Sequence, residues 1–123
     1  MKTKPISCKA HAVIDYVLVS SLLLLPPLLR LNKRARCIYA IEAIGLLTYV
    51  AITKTPLAVK PMIPFRTHGR IDPLNVAVFA LQTIGAPFRK KRTTLLFNII
   101  FTAMAAATVL LTDWKRGEGK QKY

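Results

Sequence analysis

Lysine and arginine residues are confined to short bursts that separate four apolar stretches, and this alternation constrains the fold more than any other feature. The stretches without a basic residue run roughly from Ala10 to Leu29, Cys37 to Thr53, Ile71 to Phe88 and Thr93 to Trp114. A helix needs about 20 apolar residues to cross the hydrocarbon of a bilayer, with about 17 as the lower limit. The sequence therefore predicts four membrane-spanning helices. The second and third rely on flanking basic side chains that reach the lipid headgroups.

The composition excludes several other classes of protein. Of the 123 residues 53% are hydrophobic, which is too many for a disordered chain, and two cysteines, Cys8 and Cys37, are too few for a disulfide scaffold. The formal charge of +14 could indicate a nucleic-acid-binding protein. Here, however, the basic residues interrupt every apolar run and would lie at both ends of a bundle. We therefore expect anionic lipid headgroups at the basic loops as partners, and no nucleic acid.

The amino-terminal stretch superficially resembles a signal peptide, because Lys2, Lys4 and Lys9 precede an apolar run. That run contains Asp15, is too long for a signal sequence and has no small-residue cleavage site. We interpret it as a retained span of a multi-pass protein of the plasma (inner) membrane. Loops on both sides are basic, so the positive-inside rule discriminates little between orientations; it favours cytoplasmic termini.

The sequence contains an internal repeat. Residues 6–15 match residues 63–72 at a single offset, which aligns isoleucine, a basic residue, histidine, isoleucine and aspartate in the same order. The only two histidines, His11 and His68, are in register. The predicted fold is an all-α integral membrane four-helix bundle, a single domain of two tandem helical hairpins. Repeat 1 covers about 6–54, repeat 2 about 63–112, and a basic tail follows at 115–123. Hairpins repeated in parallel are related by a pseudo-twofold axis along the membrane normal.

The repeated element carries the candidate site. His11 and Asp15 are four residues apart, as are His68 and Asp72, so each pair shares a helix face wherever the segment is helical. The pseudo-twofold axis would bring the two pairs together at one end of the bundle. Two imidazoles and two carboxylates form a ligand set for a divalent metal, zinc or iron. The same groups without metal would make a proton relay or an ionic clasp between the hairpins, whereas haem ligation fits them less well.

The second copy of this element differs from the first in one respect. Asp72 is followed by Pro73, and aspartate before proline is typical of a helix N-cap and its first residue. This dipeptide predicts that the third helix begins there and that His68 lies on the preceding loop.

Other polar and aromatic residues in the spans are expected to have structural roles. Glu42, Asn75 and Asn98 are predicted to be buried polar residues that form hydrogen bonds between helices, with Glu42 bonded to Asn98 or to a tyrosine hydroxyl. The aromatic residues near the span ends are expected to anchor the protein at the membrane surface, namely Tyr39, Tyr49 and Trp114. No nucleophile triad and no glycine-rich phosphate loop is present, so the sequence gives no indication of an enzyme.

The doubled element resembles that of the SPW-repeat proteins, small four-span membrane proteins of bacteria and archaea. The matching segments run from His11 to Pro26 and from His68 to Pro87, with Pro26-Pro27 and Pro87-Phe88 near the position of the family's Ser-Pro-Trp. The resemblance implies an integral membrane protein without an assigned activity. Two functions remain open: a metal-binding or proton-handling protein, and a non-catalytic accessory subunit that forms a homodimer or joins a larger membrane complex.

Overall fold

A computed structural model describes residues 4–114 of the chain. In this range the backbone forms five α-helices and no strand beyond two isolated β-bridges. The helices are α1 (Cys8–Leu28), α2 (Lys33–Ala51), α3 (Phe65–Gln82), α4 (Ala86–Arg89) and α5 (Arg92–Leu111). The all-α prediction is confirmed, and the four long helices correspond to the four apolar stretches. The short α4 was not predicted, and the basic tail at 115–123 lies outside the described residues.

Local sequence signals account for both ends of α1. Its N-cap is Ser7, whose hydroxyl accepts a hydrogen bond from the Ala10 backbone N–H at 3.2 Å. Pro26 and Pro27 occupy the last turn, and the helix ends at Leu28 as expected for consecutive prolines. Arg30 then adopts a positive φ of 55°, which turns the chain back towards α2.

The predicted start of the third helix is wrong. α3 begins at Phe65, after an N-cap at Pro64, so His68 lies on the helix and Pro73 lies inside it. Pro73 has no N–H for the carbonyl of Gly69, and a proline in a helix interior is normally costly. Burial outweighs this local preference, because Phe65 and His68 in the added first turns are 2% and 1% exposed.

The helices pack as two antiparallel pairs. α1 packs along α2, α3 packs along α5, and α1 also contacts α5. A hydrophobic cluster fills the interior and consists mainly of aliphatic and aromatic side chains: Leu18, Val19, Leu22, Leu31, Ala35, Tyr39, Ala43, Val50, Phe79, Phe88 and Phe101. Because this cluster draws on all four long helices, it fixes their relative positions.

Two of the described helices, α1 and α5, are long and apolar enough to cross a membrane. α2 and α3 have similar lengths but carry more charged residues, including Arg34, Arg36 and Glu42 on α2 and Arg70 and Asp72 on α3. All four long helices nevertheless expose large apolar side chains, for example Ile41 on α2 and Leu74 on α3, which are 72% and 66% exposed.

Two helical glycines provide a matched test of this packing. A Cβ on Gly45 would meet nothing within 4 Å, whereas a Cβ on Gly69 would lie 2.6 Å from ring atoms of Trp114. Alanine exceeds glycine in helix propensity by about 1 kcal/mol. We expect Gly45→Ala to raise the thermal unfolding temperature in detergent and Gly69→Ala to lower it, measured by circular dichroism. Gly69→Ala should also shift the fluorescence of Trp114, the only tryptophan, to longer wavelength. Equal effects of the two substitutions would contradict this packing.

Candidate metal centre

The structure brings His11, Asp15, His68 and Asp72 together at one end of the bundle. Each histidine is the fourth residue of its helix, and each aspartate follows one turn later on the same face. His11 Nε2 lies 3.1 Å from Asp15 Oδ2 and 3.2 Å from Asp72 Oδ2. His68 Nε2 lies at the same two distances from the same two oxygens. Each imidazole nitrogen therefore faces both carboxylates at once.

The two imidazoles of this cluster are buried, whereas the two carboxylates are partly exposed. Both histidines are 1% exposed, while the side chains of Asp15 and Asp72 are 14% and 12% exposed. An ionised carboxylate inside an apolar bundle is costly unless a cation or hydrogen-bond donors balance its charge. Two such carboxylates sharing one site need a positively charged partner.

Two threonines determine which nitrogen of each histidine carries a proton. Thr112 Oγ1 donates to the Thr108 carbonyl at 2.6 Å, and it lies 2.8 Å from His11 Nδ1. Because a hydroxyl has one proton to donate, the oxygen accepts the second hydrogen bond, so His11 Nδ1 is the protonated donor. When this ring is neutral, it presents the lone pair of Nε2 to the two carboxylates.

His68 is held in the same way. Thr53 Oγ1 donates to the Tyr49 carbonyl at 2.7 Å and lies 2.7 Å from His68 Nδ1. A second partner that fixes the tautomer through the other ring nitrogen is typical of histidines that bind metals. These threonines were not identified as site residues from the sequence, although Thr53 and Thr112 fall at nearly matching places in the two repeats.

The four side chains lie close enough together to bind one metal ion. Neither His11 Nε2 nor His68 Nε2 has a hydrogen-bond partner of acceptable geometry, although each has two carboxylate oxygens within 3.2 Å. An N–H bond at Nε2 thus points at neither oxygen. Ligand atoms placed tetrahedrally about 2.0 Å from a zinc ion are about 3.3 Å apart. The four nitrogen–oxygen distances of 3.1–3.2 Å are close to that spacing, whereas the ligand atoms as a set are spread over as much as 4.8 Å.

Aromatic residues enclose the histidines. The Tyr49 ring stacks on His68 at a centroid distance of 4.1 Å, and its hydroxyl lies 2.8 Å from the His68 carbonyl and 3.0 Å from Asp72 Oδ1. Trp114 packs against His11 at 4.6 Å and against Phe65 at 4.8 Å. Tyr49 and Trp114 thus contact the histidines, and both are half-buried, so their expected role as membrane-surface anchors stays a prediction.

The backbone closes this end of the bundle with two matching bridges. Ile6 N–H donates to the Leu111 carbonyl at 3.1 Å, and the Asp113 N–H donates to the Ile6 carbonyl at 2.8 Å. In the same pattern, Ile63 N–H donates to the Ile52 carbonyl at 2.8 Å, and Lys54 N–H to the Ile63 carbonyl at 2.7 Å. The segment before α1 is thus tied to the end of α5, and the segment before α3 is tied to the end of α2.

A second polar cluster lies outside the metal centre. Asn98 is fully buried and accepts a hydrogen bond from the Tyr39 hydroxyl at 2.7 Å. The Gln82 amide contacts both Asn98 and the Glu42 carboxylate. Asn98 is buried as predicted, whereas Glu42 and Asn75 are half-buried. Glu42 is thus linked to Asn98 through Gln82, and Tyr39, which is 0% exposed, is a core residue rather than a membrane-surface anchor.

No family model, curated protein or solved structure matches this chain. The resemblance to SPW-repeat proteins therefore stays a prediction, and the site's chemistry has to be argued from its own geometry.

The contact between Thr53 and His68 can be tested by a conservative substitution. We expect Thr53→Val to lower the free energy of unfolding by about 1–3 kcal/mol, because it leaves the buried His68 Nδ1–H without an acceptor. Thr48→Val is the matched control, since Thr48 is exposed in the last turns of α2, shortly before Thr53, and makes the same type of bond, to the Ile44 carbonyl. Thr48→Val should change the free energy of unfolding by no more than about 0.5 kcal/mol. Denaturant unfolding in detergent measures both, and equal losses would contradict the assigned role of Thr53.

Proposed function

We propose that this protein is a small integral membrane protein of four spans that binds a divalent metal ion between its two helical hairpins. The proposed spans are α1, α2, α3 and α5, each of 18 to 21 residues. α3 supports this arrangement because its polarity is inverted: His68 and Asp72 are buried, while Leu74 and Leu81 are each 66% exposed. Apolar residues outside and polar residues inside suit a helix whose outer solvent is lipid.

The proposal includes the duplicated hairpin. Support comes from the matched contacts of the two halves: each histidine bonds a threonine just after the second long helix of a hairpin, Thr112 after α5 for His11 and Thr53 after α2 for His68. Each preceding isoleucine forms a parallel bridge with that threonine. In the sequence these residues recur in the same order, Ile6 with Ile63, His11 with His68 and Thr53 with Thr112. A pseudo-twofold axis through the metal centre accounts for all three correspondences.

The observation that carries the metal proposal is the convergence of four potential ligand atoms. One ligand atom from each of the two imidazoles and two carboxylates lies within 4.8 Å of the other three. With both imidazoles neutral, such an arrangement is repulsive until a cation occupies its centre. Nitrogen and carboxylate oxygen ligands suit zinc and iron(II). In this proposal the His11, Asp15, His68 and Asp72 side chains hold the ion, and Thr53, Thr112 and Tyr49 orient them.

Metal content is the direct test. We expect detergent-purified protein, loaded with zinc and dialysed, to retain about one ion per chain by mass spectrometry of the metal. His11→Ala and His68→Ala should lose it, and Asp15→Asn and Asp72→Asn should weaken binding about 10-fold or more, because a neutral amide is a poor ligand. Glu42→Gln is the control, since it makes the same change of charge outside the centre and should leave metal content unchanged.

Two results would contradict the metal proposal: wild-type protein without metal, or His11→Ala protein with the wild-type amount. If metal is absent and Asp15→Asn alters only thermal stability, the four residues act as an ionic clasp, as in an accessory subunit. A zinc-dependent rise in unfolding temperature in the wild type, absent from His68→Ala, would provide independent support for binding to the folded state.

Membrane insertion is tested separately from metal binding. We expect the expressed protein to remain in the membrane pellet after alkaline carbonate washing and to be released by detergent, because exposed apolar faces on all four long helices need lipid contact. We further propose that both termini lie on the cytoplasmic side, where anionic headgroups contact the basic loops. Recovery in the carbonate supernatant would contradict the four-span proposal and leave the metal test unaffected.

A further inference from the structure

A cavity of about 60 Å³ lies between α1, α2, α3 and α5, directly beside the metal centre. Asp15 and Asp72 form part of its wall, whereas the two histidines do not. The aromatic and backbone contacts described above cover the histidine side of the centre. The carboxylate side, which is the more accessible one, therefore borders this cavity.

The walls of the cavity are predominantly apolar. They are formed chiefly by aliphatic and aromatic side chains from the four long helices: Leu18, Val19, Leu46, Val76, Phe79 and Phe101. The volume would accommodate about two water molecules at about 30 Å³ each, but a buried water needs two to four polar partners. The polar side chains of the wall are Asp15, Asp72 and Asn75, together with the hydroxyls of Tyr49 and Thr108. The apolar part of the cavity has room for an apolar molecule of about two heavy atoms.

A lateral groove between α1 and α5 gives such a molecule a route from the lipid. Leu18 and Phe101 line both the cavity and this groove. The outer part of the groove is lined by side chains that are exposed on the bundle surface, such as Leu25, Leu96 and Ile100. Apolar gases dissolve better in hydrocarbon than in water, so the bilayer would deliver them to this face.

We propose that the cavity binds an apolar diatomic gas of the dioxygen class and holds it at the carboxylate side of the metal centre. The inference rests on the proposed metal site, because the four side chains alone offer such a gas no bond. Iron(II) held by histidine and carboxylate ligands with an open position binds gases of this class. The cavity supplies predominantly apolar space next to the ion.

Nitric oxide is a suitable probe, because its complex with iron(II) has a characteristic electron paramagnetic resonance signal. Wild-type protein loaded anaerobically with iron(II) in detergent is titrated with nitric oxide, and iron content is measured on the same samples. Ala105→Leu places a larger side chain in the cavity wall. Ala107→Leu is the matched control, because Ala107 is exposed on the same helix and does not line the cavity.

We expect wild type and Ala107→Leu to give the iron–nitrosyl signal with equal affinity for nitric oxide. Ala105→Leu should retain its iron but bind nitric oxide at least about 10-fold more weakly. If Ala105→Leu fails to fold, Val76→Phe introduces a block from α3 and should have the same effect. Wild-type protein that holds iron without forming the nitrosyl complex overturns this inference alone, as does equal affinity in Ala105→Leu and Ala107→Leu. Wild-type protein that retains no metal overturns the proposed function as well.

Discussion

The convergence of two imidazoles and two carboxylates at one point inside the bundle is the arrangement on which the rest of this structure depends. His11 and His68 place Nε2 3.1–3.2 Å from the carboxylates of Asp15 and Asp72. Two carboxylates in an apolar interior need positive charge beside them. The fold provides the geometry, and we propose that a metal ion provides the charge.

The surrounding structure holds that geometry from several directions. Thr53 and Thr112 use their single protons on helix carbonyls and so leave an oxygen that accepts from each imidazole. The rings of Tyr49 and Trp114 cover the imidazole faces, and backbone bridges tie the segments before and after the site together. Because these contacts come from all four long helices, loss of one affects the orientation of the ligands rather than a single bond.

Several parts of this site could be predicted from the sequence. The recurrence of histidine and aspartate at one spacing identified His11, Asp15, His68 and Asp72, because residues four apart share a helix face whatever the helix packs against. The alternation of basic bursts with apolar runs located the four long helices. The start of α3 was missed because Asp72-Pro73 is a strong local N-cap signal, and burial of Phe65 and His68 outweighed it. The contacts of Tyr49 and Trp114 with the histidines were not predicted, because aromatic residues near span ends occur both in cores and at membrane surfaces.

The sequence by itself determined the helical periodicity, the positions of charge along the chain and the four candidate ligands, since these follow from residue type and local spacing. Only the tertiary structure decided that the candidate ligands from α1 and α3 meet, that threonines just after α2 and α5 contact the imidazoles, and that a predominantly apolar cavity borders the carboxylates. These features depend on the distances between residues far apart in the chain. Packing of the whole bundle sets those distances, and no local pattern encodes them.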